Sequence, residues 1–305
     1  MNDPTVAEAL TEPALVADTP AAWLALHLSR RYGHSDEPGE PGCAQRGWTG
    51  LVELVDAGAI RDVHGGLVAD GTPPKVASTY LASWFGGAIA RAVGFGLAAG
   101  GAGFVTSPNL RVHVHATGWV DAVELEEPHV VVAAGHPWAG QHGVDVVASE
   151  EVLAGSVHAL VETCAPIVDA CRSLATVGRA GLWNEIGDAL GSCLAYQDDI
   201  APTPAMLAVL DAAVRVPGVP WLAAPSLRFV HSEVLGPVHI AQKGGCCLAY
   251  TVDRPAGDDG GSSRYCDTCS FRTPEDCDAR RLSWLERTVP PRRMTSCAEG
   301  SPTNR

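Results

Sequence analysis

Lysine is nearly absent from this chain. Lys75 and Lys243 are the only two, and arginine carries the remaining positive charge. Charged residues make up 18% of the sequence, with 21 Lys and Arg against 35 Asp and Glu for a net charge of −14. A chain built to grip nucleic acid or an anionic bilayer needs a positive field, so neither partner is expected. No basic recognition helix stands out. Residues Met1 to Ala17 are acidic and lack a positive segment ahead of an apolar run, so no secretory signal is expected there. The most apolar window, Gly86 to Val105, is interrupted by Arg91 and several glycines. It reads as a buried helix running into a glycine-rich turn, with no stable membrane insertion. The expectation is a soluble, cytoplasmic protein whose thiols stay reduced.

Familiar catalytic constellations are also missing. There is no Ser/His/Asp set, no P-loop, no usable pair of carboxylates and no nicotinamide or flavin site. Gly94 to Gly100 superficially suggests a dinucleotide loop. That loop needs a strand before the glycines, and here a helical pattern precedes them.

What is present can build a sizeable core: 305 residues, 46% of them hydrophobic. Asp18-Thr19-Pro20 reads as a helix cap with proline at the first helical position, opening a helix with Trp23, Leu24, His27 and Leu28 on one side. Residues 33 to 47 read as a loop carrying Cys43. A helical period covers 75 to 97 through Val76, Tyr80, Trp84, Ala88, Ala92 and Phe95. From Leu110 the period is two, and strands are expected over 110 to 116, 120 to 125 and 129 to 134. Glu151 to Tyr196 is helical, with Pro166 as a kink or restart. Cys164 and Cys171 lie on its apolar stripe as core thiols. A short helix follows at 205 to 214, extended runs at 227 to 230 and 238 to 241, and a last helix from Pro274 through Leu285. The predicted fold is α+β, mainly helical, with one small antiparallel sheet from residues 110 to 134 and 227 to 241. A C-terminal metal segment follows it.

Four of the ten cysteines define that segment. Cys246-Cys247 follows Gly244-Gly245, and Cys266-Asp-Thr-Cys269 follows a polar loop. A Cys-x-x-Cys turn lets two thiolates reach one metal. Adjacent cysteines in an extended chain point to opposite faces, so they reach two irons more easily than one zinc, or need a distorted loop. The two glycines supply backbone freedom for such a loop. Disulfides are disfavoured without a secretory signal. Zinc fits the vicinal pair badly, and an iron–sulfur centre fits the spacing best. Cys277 is a spare thiol near the four.

The run Cys246-Cys247-Leu-Ala-Tyr250, a loop, then Tyr265-Cys266-Asp-Thr-Cys269 resembles the C-terminal signature of the ferric-siderophore reductases of the FhuF type. The loop between the pairs, with its flexible Pro255 to Ser263 run, is longer than that family's. Trp183 resembles a tryptophan in the family's helical region ahead of the cluster. The resemblance implies a [2Fe-2S] cluster on Cys246, Cys247, Cys266 and Cys269. It further implies one-electron reduction of a ferric siderophore, of hydroxamate type, with release of iron. The lack of a nucleotide site then requires an external electron donor such as a ferredoxin system. The rival readings are a zinc-stabilised binding module and an iron–sulfur redox sensor.

Proximity to the cysteines selects the expected substrate contacts: Arg228, His231, His239 and Lys243 ahead of Cys246, and Tyr250 behind Cys247. Arg111, His113 and His115 form the next face to consider. Arg264, Arg272, Arg280, Arg281 and Arg287 make the segment locally basic, as a solvated face or an attraction for an acidic donor. The division expected is a mainly helical substrate-binding domain over 1 to 240, a cluster-binding segment over 241 to 289, and a disordered tail over 290 to 305.

Overall fold

The computed structural model describes residues 4–15, 17–20, 22–23, 48–56, 58–105, 110–114, 120–125, 129–195, 202–252 and 265–288. The chain is about 55% helical with small antiparallel and mixed sheets, an α+β fold.

In chain order the described elements are α1 (Pro4–Thr11), β1 (Trp48–Gly50), α2 (Leu51–Asp56), α3 (Ala59–Ala69) and α4 (Pro74–Gly100). Then come β2 (Ala102–Val105), β3 (Leu110–Val114), β4 (Val120–Leu125), β5 (His129–Ala133) and β6 (Val144–Val147). The C-terminal half holds α5 (Ser149–Leu174), α6 (Arg179–Gly191), α7 (Pro204–Val214), β7 (Ser226–Ser232), β8 (Gly236–Gln242) and α8 (Pro274–Thr288).

Helix α4 is the centre of the core. Pro74 opens it at the first turn, where a missing N–H costs nothing, and one π-helical turn, Ala82–Gly86, lies within it. The helix expected over 75 to 97 continues to Gly100, and Gly101 ends it at φ 60°. The glycines serve close packing. A Cβ on Gly94 would stand 2.7 Å from the carbonyl oxygen of Leu190, and one on Gly86 would stand 2.8 Å from Ile186 Cδ1, so α6 can lie directly against α4. Helix α5 packs alongside with Val157, Leu160, Cys164, Val168 and Cys171 buried, and Pro166 does not end it. Each such side chain contributes roughly 1.5–3 kcal/mol on leaving water. Both thiols are core groups, as expected. Burial pushes Cys171 up to about 12 and Cys164 higher still.

Two helices, Pro74–Gly100 and Ser149–Leu174, are long and apolar enough to cross a membrane by length and composition. The first is 83% buried within the protein over its most apolar window and the second 44%, so packing in this core accounts for much of their apolarity. A second apolar group gathers around Trp23, which stacks on Phe95 and Phe104 and meets Trp138 edge-on. Thr19 caps the short helical start before Trp23, accepting from Ala22 N at 3.1 Å. Residues 24 to 47, including Cys43, lie outside the described residues.

The strands do not make one sheet. β3 pairs antiparallel with β1 and β4. β5 turns to pair antiparallel with β2 and parallel with β6. β7 and β8 form a separate hairpin, in register from Ser226↔Gln242 to Ser232↔Gly236. The expectation of a single sheet failed because β1, β2 and β6 have three or four residues each, too short for an alternation to register. β8 runs across the expected domain boundary at 240/241 and leads straight into the vicinal cysteines.

Candidate metal centre

The two cysteine loops lie side by side at the end of the β7–β8 hairpin. Lys243 N donates to Thr268 O at 2.9 Å, and Ser270 Oγ donates to Gly245 O at 3.2 Å. Gln242 is buried and donates through Nε2 to the carbonyls of Cys269 and Arg272, at 3.2 and 2.9 Å. The thiols of Cys247 and Cys266 interact, lowering Cys247 and raising Cys266, and both sense the charge of Lys243. Cys246 and Cys266 each feel Cys269. Cys269 is buried, and the other three are half-buried.

Helix α6 anchors the first loop from below. The Asp188 carboxylate accepts from Gly244 N at 2.7 Å and Gly245 N at 3.3 Å. Burial raises Asp188 to about 7, opposed by Lys243 and the two amides and reinforced by Glu185. Lys243 Nζ lies 2.5 Å from Glu185 Oε2, whose side chain is 1% exposed. Burial opposes charge on Lys243, but Glu185, Cys247 and Asp188 outweigh it and hold the ammonium charged. From α4, the Thr79 hydroxyl lies 2.9 Å from Cys247 O. A cavity of about 50 Å³ behind the loop is lined by Arg91, Glu185, Asp188, Lys243 and Arg281 among others.

The backbone bends at the two glycines before the vicinal pair, although neither has positive φ. They are required by close approach: a Cβ on Gly245 would stand 2.4 Å from Asn184 Cβ, and one on Gly244 would stand 2.4 Å from Ala223 O. The distortion falls just after the pair, at Leu248 (φ 60°), among the described residues the one non-glycine in the left-handed region. Such a residue costs about 1–2 kcal/mol. The turn lets Leu248 N approach Cys246 Sγ at 3.4 Å and starts the 3₁₀ turn Ala249–Thr251.

The second loop is held by Arg272, with its side chain 4% exposed. Its Nε donates to Cys266 O at 2.7 Å and Nη2 to Tyr265 O at 2.6 Å, while Nη1 meets Asp276 Oδ2 at 2.5 Å. Arg272 therefore does not belong to a solvated basic face. Neither does Arg281, which is buried, donates to Ala195 O at 3.1 Å and lies 4.1 Å over the Trp284 ring. Arg280 pairs with Asp276 at 3.0 Å.

The donor set suits a [2Fe-2S] centre. It comprises four thiols on two loops tied together, and Cys247 is lowered to about 6 by the Cys266 hydrogen bond, against burial and with help from Lys243. The thiolate is the form that binds metal, and the contact that favours it on Cys247 disfavours it on Cys266. Among the described residues no three His, Cys, Asp or Glu side chains converge at metal-binding range. Cys277 is buried in α8 against Arg228 and Asp278 and is not grouped with the four.

The residues expected to contact substrate divide. Tyr250 is half-buried beside the thiols, within ring contact of Tyr265 (5.6 Å) and Phe271 (6.2 Å). Lys243 is at the site but committed to Glu185. Arg228 is a strut: Nε donates to both oxygens of Asp278, at 2.7 and 3.0 Å, and Nη2 to Pro274 O at 3.1 Å, tying the hairpin to α8. His231 is exposed but pairs with Pro237 near the hairpin turn, five strand positions and about 16 Å from Gln242. Among the alternative face, Arg111 meets Glu124 at 3.9 Å and His113 packs on Trp48. His115 lies outside the described residues, as do Arg264 and the Pro255 to Ser263 run. Trp183 is buried in the core.

His239 is 2% exposed, so it cannot reach a ligand in solvent, and neither ring nitrogen has a hydrogen-bond partner among the described residues. Burial, and then the charge of Arg281, lower it to about 4. A folded value below the unfolded one means its contribution to stability is present above about pH 6.5 and lost as pH falls towards 4. Asp188 runs the other way: its contribution is present at low pH and lost as pH rises through about 7. His239→Phe keeps Asp188 and isolates the histidine. Between about pH 7 and pH 4.5, the wild type is expected to lose about 2–3 kcal/mol more than the variant in urea unfolding. Parallel pH profiles would rule out His239 as the cause.

Sequence reasoning missed Glu185, Asp188 and Thr79, and named Arg272 only as part of a basic segment. The only signal for the first two was a pair of acids interleaved with Trp183, Ile186 and Leu190 in an apolar helix. No family model, no curated protein and no solved structure matches this chain.

Proposed function

We propose that the chain is a ferric-siderophore reductase resembling the FhuF type, which holds a [2Fe-2S] cluster on Cys246, Cys247, Cys266 and Cys269. The observation carrying this reading is the meeting of a vicinal pair and a Cys-x-x-Cys turn at one partly exposed surface. When bound, such a centre supplies one electron at a time, the number that converts Fe(III) to Fe(II).

The chain's own residues perform the remaining tasks. Contact with Cys266 and the charge of Lys243 favour the thiolate of Cys247. Lys243 places positive charge beside it, with Glu185 holding the ammonium in place. Asp188 and Arg272 fix the two loops by their backbones, so the ligand spacing does not depend on flexible side chains. Tyr250 stands at the exposed side, where a chelate can approach. The substrate, a ferric hydroxamate, binds iron through hard oxygens that hold Fe(III) better than Fe(II), so reduction loosens it. An external donor such as a ferredoxin system provides the electron, and the compartment is the cytoplasm.

Anaerobic purification with iron, sulfide and zinc analysis tests the centre. The expected protein is red-brown, with iron and sulfide in equal amounts. Colourless protein carrying zinc would establish the binding-module reading instead. Stopped-flow mixing of the reduced protein with a ferric trihydroxamate tests the activity. An iron–sulfur protein that no ferric chelate reoxidises would be a sensor and not a reductase.

A further inference from the structure

Three aromatic rings stand together at the mouth of the cysteine site. Tyr250, Tyr265 and Phe271 have ring centroids 5.5 to 6.2 Å apart, with Tyr250 and Phe271 nearly perpendicular. Phe271 is 60% exposed and Tyr265 39%. Each ring is tied by sequence to a ligand: Tyr250 is three residues after Cys247, Tyr265 directly precedes Cys266, and Phe271 is two after Cys269. The strained turn at Leu248 leads directly into the 3₁₀ turn that carries Tyr250. Arg272 holds the carbonyl of Tyr265 itself. The turn and the guanidinium that place the cysteine loops thus also place these rings.

The occupant follows from the size and the aromatic character of the ledge. An aromatic side chain offers about 150–250 Å² in all, and these three are only partly open. That is well short of the roughly 800 Å² that a protein partner covers. It suits one small molecule. Three aromatic rings in mutual contact favour a ligand with hydrocarbon to lay on them. We infer that Tyr250, Tyr265 and Phe271 form the binding ledge for the hydrocarbon spacers of an iron(III) chelate. This rests on the reductase reading above.

The test separates binding from electron transfer by using a gallium(III) trihydroxamate with alkyl spacers, which has the shape of the ferric complex and cannot be reduced. Its affinity for the oxidised full-length protein is measured by calorimetry. Phe271→Ala is expected to bind about tenfold more weakly, and Phe271→Trp to bind as well as wild type or better. Because Phe271 is exposed, its loss leaves the fold and visible spectrum unchanged. Equal affinities in wild type, Phe271→Ala and Tyr265→Ala would overturn the ledge, as would no binding by the wild type. If reduced wild-type protein is still reoxidised by the ferric complex in that case, the reductase reading stands and only the ledge fails. If reoxidation is absent too, the reductase reading fails with it. Slower reduction of Phe271→Ala by a reduced ferredoxin, with chelate binding unchanged, would assign the rings to a protein partner and overturn the inference.

Discussion

Cys247→Ser and Cys269→Ser are each expected to purify without the visible chromophore of the wild type. A serine hydroxyl does not ionise near neutral pH, so neither variant can supply the thiolate that binds metal. The loss should exceed the 10–100-fold in metal affinity typical of removing an outer hydrogen-bond partner. Cys171→Ser and Cys277→Ser are the contrast. Both thiols are fully buried, one in the α5 core and the other against Arg228 and Asp278. They should leave the spectrum intact, even if a buried hydroxyl lowers stability. Iron content and absorbance together decide the matter. Wild-type spectra in Cys246→Ser, Cys247→Ser, Cys266→Ser and Cys269→Ser would falsify the ligand assignment.

Arg272→Met is expected to have the next largest effect. Methionine roughly fills the volume but removes the donors to Tyr265 O and Cys266 O, as well as the ion pair to Asp276. Asp276 is 45% exposed and rehydrates, so the cost is mainly two charge-assisted hydrogen bonds, about 3–5 kcal/mol. The strain should appear at the Cys-x-x-Cys loop before it appears globally. Metal extraction by a chelator should be at least tenfold faster than in wild type, by the usual cost of losing a supporting partner. Arg272→Lys keeps the charge but not the planar fork, and should fall between the two. Extraction from Arg272→Met at the wild-type rate would show that the guanidinium is structurally incidental.

The residues that could be read from sequence are those whose signal is local. The α4 and α5 helices announced themselves by period, and the hairpin strands by short apolar runs before the cysteines. The cysteines stood out by spacing. What could not be read is long-range. Nothing near Asp188 in sequence shows that it caps Gly244 and Gly245, 56 and 57 residues on. Arg272 looked like one of several surface arginines because burial is not a local property. Gly244 and Gly245 read as giving the loop backbone freedom, and the chain does bend there; the close approach of Ala223 and Asn184, which leaves no room for a side chain, could not be read. His239 alternates like a surface strand residue and is sealed by Arg281 from a helix more than forty positions later.

The contacts from Thr79 to Cys247 and from Asp188 to the two glycines have a consequence for how the protein is made. During synthesis Thr79 and Asp188 emerge long before Cys269, yet the ledge of backbone that spaces the thiols exists only once α4 and α6 have packed. Arg272, which holds the second loop, follows Cys269, so the spacing of the four thiols is complete only after the segment carrying Arg272 has folded as well. Excising residues 241–289 for transplantation onto another scaffold would carry away the ligands while leaving behind the parts that hold them apart.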